Sequence, residues 1–293
     1  MINLVKRNLT YNVRDRVAFA LSFLSVIILL VIYKAFLSDF QLDELKKASG
    51  SSIVSQSGID MVNFWLVAGL IVVISITTTL SGFGVMVEDK ETKKIEDFKL
   101  SGISSLKLMI SYYITSFILG IIILILAILL GFSLFIGFDT LFDFSLNSWL
   151  KIIGLLLLSN LFGVTLGLFI ANLLSTRSSF ATMSTIIGTL VGFLAGVYIS
   201  IGNLGETIGK FILILPMVHI GSLLKQVLMQ DSINSYFNNI PQKYQDNYEK
   251  IYGIRLYWEN SEITNSTSIL VIFGWILAIF ILNVVIISVK KRV

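Results

Sequence analysis

The residues best suited to chemistry in this sequence lie together in one short stretch, Val87 to Ser104. The stretch carries nine charged residues, five acidic and four basic, whereas only 14% of the chain is charged and 55% is hydrophobic. Opposite charges recur at spacings of three and four, as in Asp89 and Lys93, and each such pair stabilises an exposed helix by about 0.2–0.5 kcal/mol. The spacing therefore predicts a charged helix across this stretch.

A narrow apolar stripe runs along the predicted helix. Val87, Ile95 and Phe98 fall on one face, together with Glu91. A solvated connector has no need of Ile95 and Phe98, so the stripe indicates a surface for a soluble partner, with the flanking charges giving orientation and association rate. The alternative is a connector whose charges only keep it out of a membrane.

Enzyme chemistry finds little support elsewhere in the chain. The single histidine, His219, has no cysteine and no nearby acidic residue with which to form a triad or a metal site. We interpret it as a polar residue near the outer membrane interface that pairs with the backbone. A phosphate-binding G-x-x-x-x-G-K-[ST] loop is missing too, so no catalytic residue, cofactor or metal site is predicted here. If ATP drives the protein, another polypeptide must hydrolyse it.

The elements that must position the charged stretch are membrane helices. The mean hydropathy is +0.87, and long uncharged runs lie near the roughly 20 residues that a helix needs to cross a bilayer core of about 30 Å. The predicted spans are 17–37, 61–86, 108–137, 150–175, 179–203 and 264–289. The predicted fold class is an all-α polytopic membrane protein with six transmembrane helices, in a single domain over residues 1–293.

The distribution of basic residues predicts the orientation of these spans. Thirteen Lys and Arg residues fall on the side of the two termini and nine on the other side. Because basic residues collect in the cytoplasm, both termini and the charged stretch are predicted to be cytoplasmic.

Three further segments flank the spans. Residues 1–16 predict either a short interfacial helix or a plain basic flank that only fixes orientation. Residues 211–227 are apolar for too short a length to cross and are interrupted by Pro216 and Gly221, which favours re-entrant or interfacial half-helices. Residues 228–262 are polar and aromatic, and are predicted to form a small external cap.

The order of these features resembles one family. A basic approach ending in R-D-R, a charged E-D-K-E-x-x-x-I-E-D-F-x-x-S-x-I-S segment between spans two and three, and a half-length apolar segment before span six resemble the permease subunits of type 2 ATP-binding-cassette exporters, the ABC-2 family. The segments 65–90, 188–198 and 215–229 resemble its Gram-positive multidrug and antimicrobial branch. Gly102, Ser200 and Gly205 stand where relatives often have proline.

This resemblance implies roles for particular residues. Residues 1–16, with Arg14, Asp15 and Arg16, would form an elbow helix, and residues 87–104 a coupling helix seated in a groove of the ATPase. The implied ATPase-docking residues are Glu88, Asp89, Lys90, Glu91, Ile95, Glu96, Asp97 and Phe98. Pro216, His219 and Gly221 would lie in the external re-entrant helices.

The resemblance also implies partners. Soluble ABC ATPase subunits would hold ATP and magnesium, and a second copy or a paralogous permease would complete the path across the lipid bilayer. No nucleic acid is expected to bind. The implied location is the plasma membrane of a Gram-positive bacterium.

Apart from Lys34 and Lys151 near the ends of two spans, the spans contain no charged residue. This pattern disfavours proton- or ion-coupled transport and favours a hydrophobic or amphipathic cargo. A drug, an antimicrobial peptide or a lipid-like molecule is the leading expectation. The alternatives are a permease for a cell-wall glycan or its lipid-linked precursor, and a non-transport immunity or sensor scaffold. The sequence assigns no residue to the substrate path.

Overall fold

The computed structural model describes residues 1–14, 28, 31, 35, 38–49, 54–259 and 261–290. The predicted first span, 17–37, lies outside the described residues apart from three isolated positions. Asp15 and Arg16 of the predicted elbow helix lie outside them too.

Helices make up almost all of the described chain, as the apolar runs predict. In chain order they are α1 Ile2–Arg14, α2 Ser38–Ser49, α3 Gln56–Gly82, α4 Gly84–Glu91, α5 Lys94–Leu100, α6 Ser105–Phe135, α7 Leu146–Leu173, α8 Arg177–Leu194, α9 Glu206–Ile212, α10 Pro216–Leu228, α11 Gln230–Phe237, α12 Gln242–Ile251 and α13 Asn265–Lys290. Short 3₁₀ turns occupy Phe138–Phe142 and Ile201–Asn203. Strands β1 Tyr257–Trp258 and β2 Ser261–Glu262 pair antiparallel in one small hairpin.

Four of the described helical segments are long and apolar enough to cross a membrane. They are Gln56–Glu91, formed by α3 and α4, Ser105–Phe135, Leu146–Leu173 and Asn265–Ser288. A fifth crossing arises if α9 and α10, which meet at a bend of 85°, count as one broken span. The chain is therefore a multi-pass helical membrane protein.

The predicted fifth span, 179–203, is longer than the helix that forms there. Helix α8 ends at Leu194, and the chain turns at Gly196, whose φ of +66° lies in the left-handed region. At about 1.5 Å per residue, its 18 residues reach only about 27 Å.

Helix α3 lies at the centre of the bundle. It is apolar on all sides, and 89% of its most apolar stretch is buried, whereas the matching figure for α13 is 22%. Such an all-round apolar helix must be surrounded by other helices. Helices α6, α7, α8 and α10 pack around it.

Hydroxyl groups and glycines hold α6 and α7 close to α3. The Ser75 and Ser159 hydroxyls lie 2.5 Å apart, and Ser116 Oγ donates to the Thr79 carbonyl at 2.6 Å. A Cβ at Gly163 would lie 2.5 Å from Thr79 Oγ1, so α7 approaches α3 almost to backbone contact. This combination of small residues and short polar bonds is typical of helix packing in membranes.

The short apolar segment before the last span, predicted at 211–227, forms two half-helices whose boundaries differ from the prediction. The first half-helix begins at Glu206, upstream of the predicted 211–227. Pro216 opens α10 at its first turn, where a missing N–H is tolerated. Gly221 lies inside α10 and does not interrupt it. The predicted external cap contains α11, α12 and the hairpin.

Candidate functional site

The charged stretch forms two helices, so the prediction of one continuous helix is wrong. Helix α4 ends at Glu91, and Thr92 Oγ1 folds back to donate to the Glu88 carbonyl at 2.8 Å. Lys93 then adopts φ +60°, a left-handed conformation that ends α4 before α5 begins at Lys94. The i,i+4 pairing of Asp89 with Lys93 is lost at this break.

Asp89 instead pairs with the N-terminal helix. Its side chain is only 1% exposed, and both of its oxygens bind the Arg7 guanidinium, with Arg7 Nη2 donating to Oδ1 at 2.7 Å. The Tyr112 hydroxyl donates to Oδ2 at 2.6 Å. The pKa of Arg7 is raised above its usual value because its guanidinium hydrogen-bonds to Asp89. A two-pronged Arg–carboxylate pair fixes orientation as well as distance, so this contact joins α1, α4 and α6.

Glu88 and Glu91 extend the network to α8. The Tyr11 hydroxyl donates to Glu88 Oε1, and this hydrogen bond raises the pKa of Tyr11. Arg177 Nη1 lies 3.0 Å from Glu88 Oε2. The Glu91 carboxylate accepts the backbone N–H of Arg177 at 3.1 Å, at the first residue of α8. A carboxylate there is favourable because the first N–H groups of a helix lack partners within the helix.

Lys90 ties the same short helix to α7. Its ammonium group donates to the Ala171 carbonyl, two residues before α7 ends at Leu173. A cation near a helix C-terminus satisfies a carbonyl that has no partner within the helix. Consecutive residues of α4 therefore bind α1, α6, α7 and α8, with Asp89 buried and Glu91 exposed.

The predicted apolar stripe also faces the bundle. Val87 is fully buried, and Ile95 and Phe98 are half-buried against the core. The Arg7 guanidinium lies 5.1 Å from the centre of the Phe98 ring, an attractive cation–π arrangement. The stripe thus seats α5 on α1. Whether Ile95 and Phe98 also touch a partner stays a prediction.

The opposite side of α5 points away from the protein. Leu100 is 87% exposed, the most exposed large apolar residue in the described chain. It is flanked by exposed Glu96, Asp97 and Lys99. We call these four residues the α5 outer face. The sequence pattern did not point to Leu100, because Leu100 follows Phe98 by two residues and so lies off the apolar stripe of Ile95 and Phe98.

Helix α1 covers the described part of the predicted elbow helix. It spans Ile2–Arg14, with Arg14 exposed at its end. Asn8 is buried, and its amide donates to Ser111 Oγ on α6 at 3.4 Å. Ile2 is 82% exposed. The amphipathic pattern of α1 is compatible with an interfacial helix. The position of α1 relative to a membrane stays a prediction.

The residues predicted for the re-entrant segment lie far from this corner, in α10. His219 is buried, with Nε2 2.8 Å from the Leu213 carbonyl and Nδ1 3.0 Å from Ser268 Oγ. Since a carbonyl can only accept, Nε2 carries the proton and Nδ1 accepts from the Ser268 hydroxyl. The ring therefore holds the bend between α9 and α10 to the start of α13. Pairing of His219 with the backbone is confirmed.

Comparison with known protein families identifies the family of this chain. A family model described as ABC-2 family transporter protein matches residues 34–288. No curated protein matches the sequence.

Proposed function

Because the chain belongs to the ABC-2 transporter family, we propose that it is the permease subunit of an ATP-driven exporter, powered through its α4–α5 corner by separate ABC ATPase subunits. ATP and magnesium are bound by the ATPase, and this chain performs no hydrolysis. The observation that carries the proposal is the α5 outer face. Leu100 is exposed there on a short helix whose other side is fixed to the protein.

The corner combines the two properties that a transmission element needs. An exposed leucine amid Glu96, Asp97 and Lys99 offers an apolar anchor within a charged rim, and protein interfaces likewise combine an apolar centre with a polar rim. Behind it, α4 is connected to the spans by the Arg7–Asp89–Tyr112 contact. A push on α5 would therefore move α1 and the spans together.

This arrangement divides the predicted docking residues into two groups. Glu96 and Asp97 belong to the docking surface, with Lys99 and Leu100. The residues that contact other parts of the protein transmit the movement, and they are Glu88, Asp89, Lys90, Glu91, Ile95 and Phe98. The division follows from the side-chain contacts, since Glu88, Lys90 and Glu91 bind other helices and Ile95 and Phe98 pack against the core.

A hydroxyl-bearing face on α8 supports a shared path for the cargo. Thr182, Thr185 and Thr189 are exposed, and each hydroxyl already donates to the carbonyl four residues earlier. Hydroxyls satisfied in this way let a helix face either lipid, another helix or a partly wet passage. We propose that this face, together with that of a second permease copy or a paralogue, lines the path of a hydrophobic or amphipathic cargo out of the cell, across the plasma membrane of a Gram-positive bacterium.

The test compares two strongly exposed leucines that lie at different ends of the protein. Leu100→Asp places a charge on the α5 outer face. Leu146→Asp, at 78% exposure near the start of α7, is the matched control. Co-purification of the ABC ATPase and stimulation of its activity are measured for both. We expect both signals to fall about tenfold for Leu100→Asp, the effect of losing roughly 1.4 kcal/mol of binding, and to persist for Leu146→Asp.

If Leu100→Asp keeps both signals, the docking proposal fails. If the ATPase binds but the permease does not stimulate its ATP hydrolysis, the chain is a scaffold rather than a transport subunit. Export is then followed by resistance of a deletion strain to hydrophobic toxins, because unchanged sensitivity to all of them contradicts the proposed cargo and leaves the glycan-precursor alternative.

A further inference from the structure

A cavity opens at the other end of the bundle, between the first halves of α7 and α13. Its volume is about 690 Å³, within the range of roughly 300–1,000 Å³ that small-molecule sites occupy. The wall on the α7 side carries Lys151, Gly154 and Leu158, and the wall on the α13 side carries Ile269 and Phe273. The side chains of Ile269 and Phe273 are 39% and 50% exposed, so the cavity opens on the surface where lipid would lie.

Along α7 the lining of this cavity changes from a charged residue to apolar ones, whereas its cap side is mixed, with Ile233 and Ile254 beside the amides. Toward the cap lie Gln230, Asn234 and Asn265, with Lys151 at the rim. Leu158 lies seven residues further along α7, about 10 Å deeper at 1.5 Å per residue. A cavity with a charged rim and an apolar wall along α7 fits an amphipathic molecule.

The charge at the rim selects the sign of that molecule's polar end. The cavity's other cation, Arg255, is already neutralised, with Nε 2.5 Å from Glu249 and Nη1 3.3 Å from Glu262. Lys151, in contrast, has no hydrogen-bond or ion-pair partner among the residues that the structure describes. Lys151 is therefore the cation at this cavity that has no described counterion, and its ammonium group attracts an anion.

Gly154 keeps the middle of the cavity open. A Cβ placed there would meet no atom within 4 Å, in contrast to Gly163, about two and a half turns further along α7. The absence of a side chain at Gly154 is therefore unrelated to helix packing, and it leaves room for an occupant.

We propose that this cavity binds one anionic phospholipid of the surrounding bilayer, with its phosphate at Lys151 and an acyl chain along Leu158 and Phe273. The unpaired ammonium at the rim, the apolar wall below it and the opening toward lipid together favour this occupant over a neutral lipid. A neighbouring protein chain is the other candidate occupant. The site is separate from the α5 outer face and needs no ATPase.

The experiment uses the full chain in nanodiscs of phosphatidylcholine with a minor fraction of phosphatidylglycerol. A trace of either lipid carries a photoactivatable group in its acyl chain, and crosslinked peptides are mapped by mass spectrometry. We expect phosphatidylglycerol to label 151–158 and 269–273 about fivefold more than phosphatidylcholine does, since one basic residue near the surface is worth about 1 kcal/mol.

Two variants and two matched controls connect the labelling to the cavity. Lys151→Gln should reduce phosphatidylglycerol labelling to the phosphatidylcholine level, whereas Lys107→Gln, an exposed lysine near the start of α6, should leave it unchanged. Gly154→Phe should abolish labelling by both lipids. Gly274→Phe is its control, because Gly274 also faces open space but lines a different cavity.

Equal labelling by the two lipids, or labelling that survives Gly154→Phe, would overturn the proposal. Loss of labelling on addition of millimolar inorganic phosphate would assign the site to the free ion instead. Crosslinks between two permease chains at these residues, or a change of oligomeric state in Gly154→Phe, would assign the cavity to a second protein chain. Since no ATPase is present, failure here is independent of the exporter proposal.

Discussion

Arg7 and Asp89 are 82 positions apart in sequence and form a two-pronged ion pair that fixes the N-terminal helix to the charged stretch. Asp89 is 1% exposed and Arg7 30% exposed. Removing one partner from such a pair leaves the other charge without compensation in a poorly hydrated place. The pair therefore determines where α4 lies relative to α1.

Asp89→Asn should destabilise the protein by about 2–3 kcal/mol, below the roughly 3–5 kcal/mol of a fully buried pair, because Arg7 keeps some access to water. Chemical unfolding in detergent measures the loss. The control is Glu96→Gln, which removes an exposed carboxylate from α5 and should change the stability by less than about 0.5 kcal/mol. Equal effects of the two substitutions would contradict the structural role of Asp89.

The left-handed turn at Lys93 allows a prediction of increased stability. A non-glycine residue at φ +60° carries about 1–2 kcal/mol of strain, and glycine does not. Lys93→Gly should therefore raise the free energy of unfolding by roughly 1 kcal/mol, after the larger chain entropy of glycine in the unfolded state is subtracted. The measurement is the midpoint of chemical unfolding, which should rise.

Lys93→Ala is the matched control for this change. It removes the same side chain but retains the strain, so it should not stabilise the protein. A midpoint that rises equally for alanine and glycine would indicate that the charge of Lys93, rather than its backbone, is unfavourable.

The positions of the long helices follow from the sequence because a bilayer imposes a length on every crossing. The runs at 61–86, 108–137, 150–175 and 264–289 all lie within or along helices. The end of α8 could not be read in the same way. Its apolar run continues past Gly196, and a turn there needs only one residue with positive φ.

The charged corner was predictable in location and not in detail. Asp89 has Lys90 and Lys93 nearby in sequence, so nothing in the local pattern points to Arg7. The break at Lys93 also leaves no sequence signal, because lysine is a good helix former and is uncommon at positive φ. Both features depend on tertiary contacts with α1 and α6.

The orientation of the chain yields a prediction that needs no partner. The sequence contains no cysteine, so a single introduced thiol is unique. Leu100→Cys reports on the α5 outer face, and Tyr244→Cys, at 60% exposure, reports on the cap.

In intact cells, a membrane-impermeant maleimide should label Tyr244→Cys and not Leu100→Cys, because basic residues place α5 inside. Lysed cells should label both variants, which controls for accessibility. Labelling of Leu100→Cys in intact cells would reverse the assigned orientation and remove the α5 outer face from the reach of any ATPase.

Close packing of α7 on α3 gives the last prediction. A Cβ at Gly163 would lie 2.5 Å from Thr79 Oγ1 and 2.9 Å from the Ser75 carbonyl oxygen. The second of these atoms is backbone and cannot rotate away, so α7 must shift. Gly163→Ala should therefore destabilise the bundle by about 1–3 kcal/mol, the usual effect of overpacking.

Gly154→Ala on the same helix meets no atom within 4 Å, and it should leave the unfolding midpoint unchanged or slightly raised, because alanine favours a helix over glycine. Equal midpoints for the two variants would mean that α7 stands further from α3 than these distances imply.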